Sequence, residues 1–214
     1  MKLNVRKLGI IKIEDAIDKL EEFKKLPKKQ NEIWVTEHER AFTEGLDGVG
    51  EVTRDGTPII KTNRRGCVTH FAPGQISCYM NLNMRDLIKS NIDPMSMERL
   101  IEKSVVDTLN HFGMYDVFLE PTAPGVYYDN KKISALGLSI DNMWTSWGFS
   151  LNVTNENDGF EVIHPCGYIG MKSARMSDYV EGITVEQVTP ILIENFAKAF
   201  NFDIELETTS WDFE

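Results

Sequence analysis

Apolar positions along the chain recur with two different periods. Ile13, Ala16, Ile17, Leu20 and Phe23 fall at helical steps and Pro27 follows, so the spacing predicts an amphipathic helix over about 13 to 26. Asp93-Pro94 offers a cap and a first-turn proline, Met97, Leu100, Ile101, Val105, Leu109 and Phe112 form one stripe, and Gly113 stands where a left-handed stop belongs. A third helix is expected over Val185 to Phe200, with Pro190 either kinking it or marking its first turn. Between the helices the period drops to that of strands at Thr57–Thr62, Gly66–His70, Gln75–Asn81, Val117–Glu120 and Thr145–Val153. Val126-Tyr127-Tyr128 and Lys132 to Leu136, joined across Asp129-Asn130 and Lys131, read as a tight hairpin. Strict alternation along its second strand would send Lys132, Ser134 and Leu136 to one face and Ile133 and Ala135 to the other. These elements imply an α+β fold over residues 1–214 as a single domain, a mixed β-sheet packed with helices.

Composition narrows the function. With 42% hydrophobic and 26% charged residues the chain can bury a substantial core. A net charge of −10 argues against general nucleic-acid binding, because phosphate backbones are repelled on average. The best apolar stretches, such as Ile133 to Ile140, fall well short of the roughly 18 residues of a spanning helix, so no membrane association is expected. The opening Met-Lys-Leu-Asn-Val-Arg-Lys lacks the apolar run of a signal peptide. The cysteines, Cys67, Cys78 and Cys166, form no disulfide framework, so a reducing, cytoplasmic setting is the expectation; separately, a monomer is expected.

Two segments concentrate chemistry. Residues 62–75 gather Arg64, Arg65, Thr69 and His70 among turn residues, which suits either ligand binding or a solvated hairpin. In Ile163-His164-Pro165-Cys166-Gly167-Tyr168 a thiol is framed by residues that fix an unusual backbone path. A thiol near pKa ~8.5 needs a neighbouring cation or base to become a useful nucleophile, and His164, His70 and Lys132 are the candidates; otherwise Cys166 is a small buried hydrophobe. Cys67-x-x-His70 followed by Cys78 invites a zinc reading, but its second ligand pair is incomplete, so no metal is expected. His38 and His111 are expected on the surface or a helix face. Gly45, Gly48 and Gly50 make neither a Walker loop nor a dinucleotide fingerprint, so neither ATP nor NAD is required as a cofactor.

Taken together, Ala123-Pro124-Gly125-Val126-Tyr127 leading to Lys132-Ile133 and Leu136-Gly137, then Gly148 to Val153, then Pro165-Cys166-Gly167, resemble the lipoyl(octanoyl) transferases over about residues 34 to 180. The resemblance implies the fold of biotin and lipoate protein ligases. It also implies an acyltransferase that moves octanoyl from octanoyl-acyl carrier protein to a lysine of lipoyl domains, those of 2-oxoacid dehydrogenase E2 subunits or glycine cleavage H protein, without a cofactor. By resemblance Cys166 carries an acyl-thioester intermediate and Lys132 lowers its pKa. Acyl-binding segments then fall on Arg64, Arg65, Gly66, Cys67, Val68, Thr69, His70 and Phe71, on Ala135, Leu136 and Gly137, and on Gly148, Phe149 and Ser150. Glycines 137 and 148 would let backbone line the acyl slot, and backbone N–H groups around Cys166 and Gly167 are the natural oxyanion donors.

The family's loop reads Arg-Gly-Gly-x-x-Thr-aromatic-His-Gly-Pro-Gly-Gln. Here Arg65 replaces a glycine, His70-Phe71 inverts the aromatic–histidine order and Ala72 replaces a second glycine. The inversion should turn the imidazole to the opposite face of the strand. Carrier docking would use Arg64, Arg65, Lys131, Lys172 and Arg175. Two alternatives stand beside this one: an ATP-dependent lipoate-protein ligase of the same fold, and a non-catalytic acyl- or carrier-binding module.

Overall fold

The computed structural model describes residues 1–120, 123–164 and 170–213. Its spine is an eight-stranded mixed sheet in the order β11-β1-β2-β6-β10-β9-β8-β7, with a three-stranded sheet, β4-β3-β5, laid against it. The large sheet comprises β1 (Lys2–Ile11), β2 (Glu32–His38), β6 (Gln75–Asn81), β7 (Val117–Leu119), β8 (Gly125–Tyr128), β9 (Lys131–Asp141), β10 (Trp144–Asn152) and β11 (Asp203–Thr208). The small sheet comprises β3 (Ala41–Glu44), β4 (Ile59–Lys61) and β5 (Val68–Phe71). Among the described residues no helix is long and apolar enough to cross a membrane.

The helices fall where the apolar stripes require. α1 (Ile13–Lys25) connects β1 to the parallel β2 and buries Ile13, Ala16, Leu20 and Phe23. α2 (Met84–Lys89) is capped by Asn83, whose side chain accepts from Arg85 N–H. α3 (Pro94–His111) begins in a capping box between Asp93 and Ser96. α5 (Val185–Phe200) has its own box between Thr184 and Gln187 and keeps Pro190 inside its first turns. α4 (Asp158–Glu161) is a single turn.

The sheet works as a two-sided wall. On one face Ile76, Cys78, Met80, Phe149 and Leu151 meet Ile101, Val105 and Leu109 of α3 and Val188, Leu192 and Phe196 of α5. On the other face Trp34, Tyr79 and Trp147 meet Phe71 and the apolar stripe of α1. Every residue of β6 is therefore buried, and β2 nearly so, which erases the alternation that marks a half-exposed strand. β2 was not foreseen from the sequence for this reason. Nor were β1, β3, β11 and α2.

Two departures from ideal strand geometry shape the site. At the β8–β9 hairpin, Asp129 and Asn130 both take positive φ, 49° and 57°, the backbone of a tight two-residue turn. Beyond it the register slips between Val126 and Tyr127, so that Val126 faces Ser134 while Tyr127 faces Lys132. Ile133 is the extra residue of this bulge. It packs into the helix-side core, whereas Ala135 lines the opposite face, which corrects the strict alternation expected for this strand. The second departure is Trp147, which pairs with Leu138, a residue packed on the helix-side core. Its φ of 61° turns the indole to the other face, where its ring lies 5.8 Å from that of Tyr79.

Candidate active site

Between the large sheet and β5 lies a slot enclosing roughly 520 Å³, counting the space at its open mouth. Its walls carry most of the segments singled out in the sequence: Arg64, Gly66, Cys67, Val68, Thr69 and Phe71 from one side, Ala135, Leu136 and Gly137 from β9, and Gly148, Phe149 and Ser150 from β10. Arg65 and His70 are not in the lining. Ser77, Cys78, Tyr79 and Trp147 are, and sequence reasoning missed them, although the alternation in Gln75–Asn81 would have given Ser77 and Tyr79 a shared face. Phe149 borders the slot but stacks its ring on Phe196 of α5, with centroids 6.1 Å apart.

Backbone forms part of the wall. A side chain at Gly148 would place its Cβ 2.1 Å from the Cys78 carbonyl oxygen, and one at Gly137 would meet the Arg65 carbonyl oxygen at 3.2 Å. The covering loop is held from within by Arg64, whose guanidinium donates to Thr43 Oγ1, to the Thr43 and Cys67 carbonyls at 2.9 and 2.7 Å, and to the Arg65 carbonyl. At 6% exposed it is part of the interior and not of a docking surface, contrary to the expectation for this residue. Arg65 is exposed and pairs with Asp47 at 2.9 Å. Lys131 and Arg175, also expected in carrier docking, pair with Asp129 and Asp178.

One histidine departs from its expected place and another follows it. His38 is buried completely, not surface-borne. Its Nδ1 donates to the Ile11 carbonyl at 3.2 Å, which leaves Nε2 to accept from the Tyr79 hydroxyl at 2.8 Å, so the ring is neutral. Desolvation pushes its pKa down to about 4. His70 is turned away from the slot, as the inverted order suggested, and lies between the rings of Phe42 and Phe160, 4.9 and 5.2 Å away. Neither of its ring nitrogens has a hydrogen-bond partner, and burial lowers its pKa to about 4 as well. Cys78 is likewise set aside from chemistry, since burial pushes its thiol far up. Among the described residues no three His, Cys, Asp or Glu groups converge as metal ligands would.

Lys132 is 6% exposed, with Nζ donating to the Pro124 carbonyl at 2.9 Å and standing 5.2 Å over the Tyr127 ring. Gly125, at φ 142°, passes so close that a Cβ there would meet the Ser134 carbonyl oxygen at 2.5 Å and Lys132 Cε at 3.1 Å. Glu102 of α3 accepts from Gly125 N–H at 3.3 Å; burial raises its pKa, opposed by that bond and by the charge of Lys132. The groove that holds Lys132 shares Gly66, Cys67, Leu136 and Gly137 with the slot, so the two adjoin.

Cys166 lies outside the described residues, as do Pro165 and Gly167. Before it, His164 has its backbone N–H and Nδ1 bonded to Glu51 at 2.6 and 3.0 Å. After it, Lys132 N–H donates to the Lys172 carbonyl and Ala174 N–H donates back to Lys132, a parallel bridge centred on Ser173.

Comparison with known proteins accords with this geometry. Residues 19–197 match the family model for the lipoyl protein ligase A/B catalytic domain. An octanoyltransferase from Photorhabdus laumondii is 37% identical over 204 residues, 94% of each chain. The chain belongs to the octanoyltransferase family. A second member, from Yersinia pestis, is 35% identical over 94% of this chain and 86% of its own. In fold the family extends further. A lipoate-protein ligase A bound with ATP superposes with a TM-score of 0.78 at 16% identity, covering 98% of this chain and 90% of that one. The biotin protein ligase of Aquifex aeolicus gives 0.58 at 11% identity, covering 94% and 70%. The α+β sheet and its helices are thus the ligase-like fold expected from the sequence, and the chain is a transferase of lipoate metabolism.

Proposed function

We propose that this octanoyltransferase takes octanoyl from octanoyl-acyl carrier protein and passes it to a lysine of a lipoyl domain, such as those of 2-oxoacid dehydrogenase E2 subunits or glycine cleavage H protein, through a thioester on Cys166. The observation that carries the reading is a narrow slot opening beside the buried amine of Lys132. An octanoyl tail buries about six or seven methylenes at ~0.8 kcal/mol each, enough for the slot to supply most of the acyl affinity.

In the first half-reaction the Cys166 thiolate attacks the carrier thioester carbonyl, the carbonyl–sulfur bond to the carrier breaks, and the leaving thiolate takes a proton from the Lys132 ammonium. In the second, the target amine attacks the Cys166 thioester, its nitrogen gives a proton to Lys132, and Cys166 departs as thiolate. Ping-pong kinetics follow. Amide formation from a thioester is downhill, so the cycle needs no nucleotide. The bridge from Lys132 to Ser173 supports the pairing, because it ties the strand of the amine to the chain that follows the Cys166 segment.

Intact-protein mass spectrometry tests this. Protein mixed with octanoyl-carrier protein should gain one octanoyl group that Cys166→Ser abolishes and that a lipoyl domain removes. Lipoyl-domain octanoylation that requires added ATP and survives Cys166→Ser would mean the ligase reaction, and tight octanoyl binding without transfer would mean a binding module.

A further inference from the structure

One polar atom in the slot has no counterpart in the chemistry above. Ser77 of β6 is 3% exposed and lines the slot, yet its Oγ has no hydrogen-bond partner. A buried hydroxyl that stays unpaired is costly, and an alkyl chain laid against it leaves it so. Directly opposite on β10 stands Ser150, paired with Ser77 in the antiparallel ladder and lining the same cavity. Side chains so paired have Cβ atoms about 4.5–5.5 Å apart, a gap that one oxygen bonded to both hydroxyls can bridge. The slot meets the Lys132 groove on β9, at Leu136 and Gly137, and Ser150 and Ser77 lie one and two strands away from that junction. At ~4.8 Å per strand the pair is reached about 5–10 Å from that junction, the reach of the outer half of an eight-carbon chain.

We infer that the slot accepts acyl chains bearing a hydroxyl in their outer half, held between Ser77 and Ser150, so that hydroxyoctanoyl groups are substrates alongside octanoyl. The inference rests on the slot being the acyl site, and it names the substrate class of that site. Either serine can donate to the ligand oxygen while the other accepts its proton. Of the slot's other side chains, Trp147 has its indole N–H taken by Asn63 and Tyr79 has its hydroxyl taken by His38, while Val68 and Phe71 carry no polar side-chain atom.

The test is equilibrium binding of unreactive amides to wild type and to Ser77→Val by calorimetry, using octanamide and 6-, 7- and 8-hydroxyoctanamide. Wild type should bind at least one hydroxyoctanamide within about tenfold of octanamide, and Ser77→Val should worsen that ratio by tenfold or more. Ser77→Thr, which keeps the hydroxyl, should restore most of it. A ratio unmoved by Ser77→Val, or rejection of all three hydroxyoctanamides by wild type while octanamide binds, overturns the inference. Octanoyl transfer is measured separately. Its absence alongside a shifted binding ratio would sink the transferase reading and leave the hydroxyl site standing, whereas transfer with an unmoved ratio does the reverse.

Discussion

Acid should weaken this protein through two imidazoles before its carboxylates respond. His38 and His70 have folded pKa values of about 4 against an ordinary 6.5. Between those limits the unfolded chain binds protons that the folded one refuses, so stability rises with pH. The contribution is fully present above pH ~6.5 and is lost as pH falls toward 4. At pH 4.5 an unfolded histidine is two units below its pKa and a folded one is still mostly neutral, so each costs about 2.5 kcal/mol and the two together about 5. For a chain of this size that is a fall of roughly 10–20 °C in Tm from pH 7. His70→Phe isolates one of the two, because phenyl suits the space between Phe42 and Phe160 and cannot take a proton. Urea unfolding of both proteins at pH 7 and pH 4.5 reads the loss on acidification, in which any packing cost common to both pH values cancels. The variant should lose about half of what wild type loses. Arg40, Asp55 and Asp158, which face His70, remain in both proteins, and the two aspartates have pKa values held below the usual range. An equal loss in variant and wild type would refute the account of His70 as a proton-refusing buried base.

Lys132→Met should lower octanoyl transfer by about 10² to 10⁴, the range for a positioned acid–base group, while octanamide affinity measured by calorimetry changes little. Trp147→Leu should lengthen the slot and move the kcat/KM optimum from eight carbons toward ten or twelve, read by competition among acyl-carrier thioesters, with each added methylene gaining up to about fourfold. Gly148→Val should cost at least ~2 kcal/mol in thermal unfolding, since its side chain meets the Cys78 carbonyl and Met80 of β6.

What the sequence revealed and what it hid divide along physical lines. α3 was legible because it advertises one apolar stripe and a cap, Asp93 with Pro94, and α5 was found at its full extent, although its Thr184–Gln187 capping box was not read from the sequence. β2 was not, because Trp34 faces α1 while Ile33 and Val35 face α3 and α5, so apolar residues occur on both parities. β1 was hidden by Asn4 and Arg6, polar residues buried only because Gln30 and Glu32 bond them across the fold. The slot's loop, β9 and β10 segments were found through resemblance, and their gathering into one cavity needs the sheet order that brings β6, β9 and β10 together. Lys132 was already one of three candidate cations before the resemblance singled it out, but its aim depends on the bulge at Ile133, a one-residue irregularity that no periodicity announces. Tyr79 and His38 were missed because their importance lies in a bond to each other across adjacent strands.

The bulge carries a lesson for anyone who would re-engineer this hairpin. By spending one surplus residue, β9 sends isoleucine into the interior and still presents its lysine beside the cavity, so the two duties are coupled through backbone length instead of side-chain identity. Swapping residues on this strand leaves that coupling intact. Deleting Ile133 would leave Tyr127 opposite Lys132 and Val126 opposite Ser134 in an unbroken ladder, so the amine would keep its face while the interior lost its isoleucine; closing the bulge with every residue kept would instead turn the amine toward the helices.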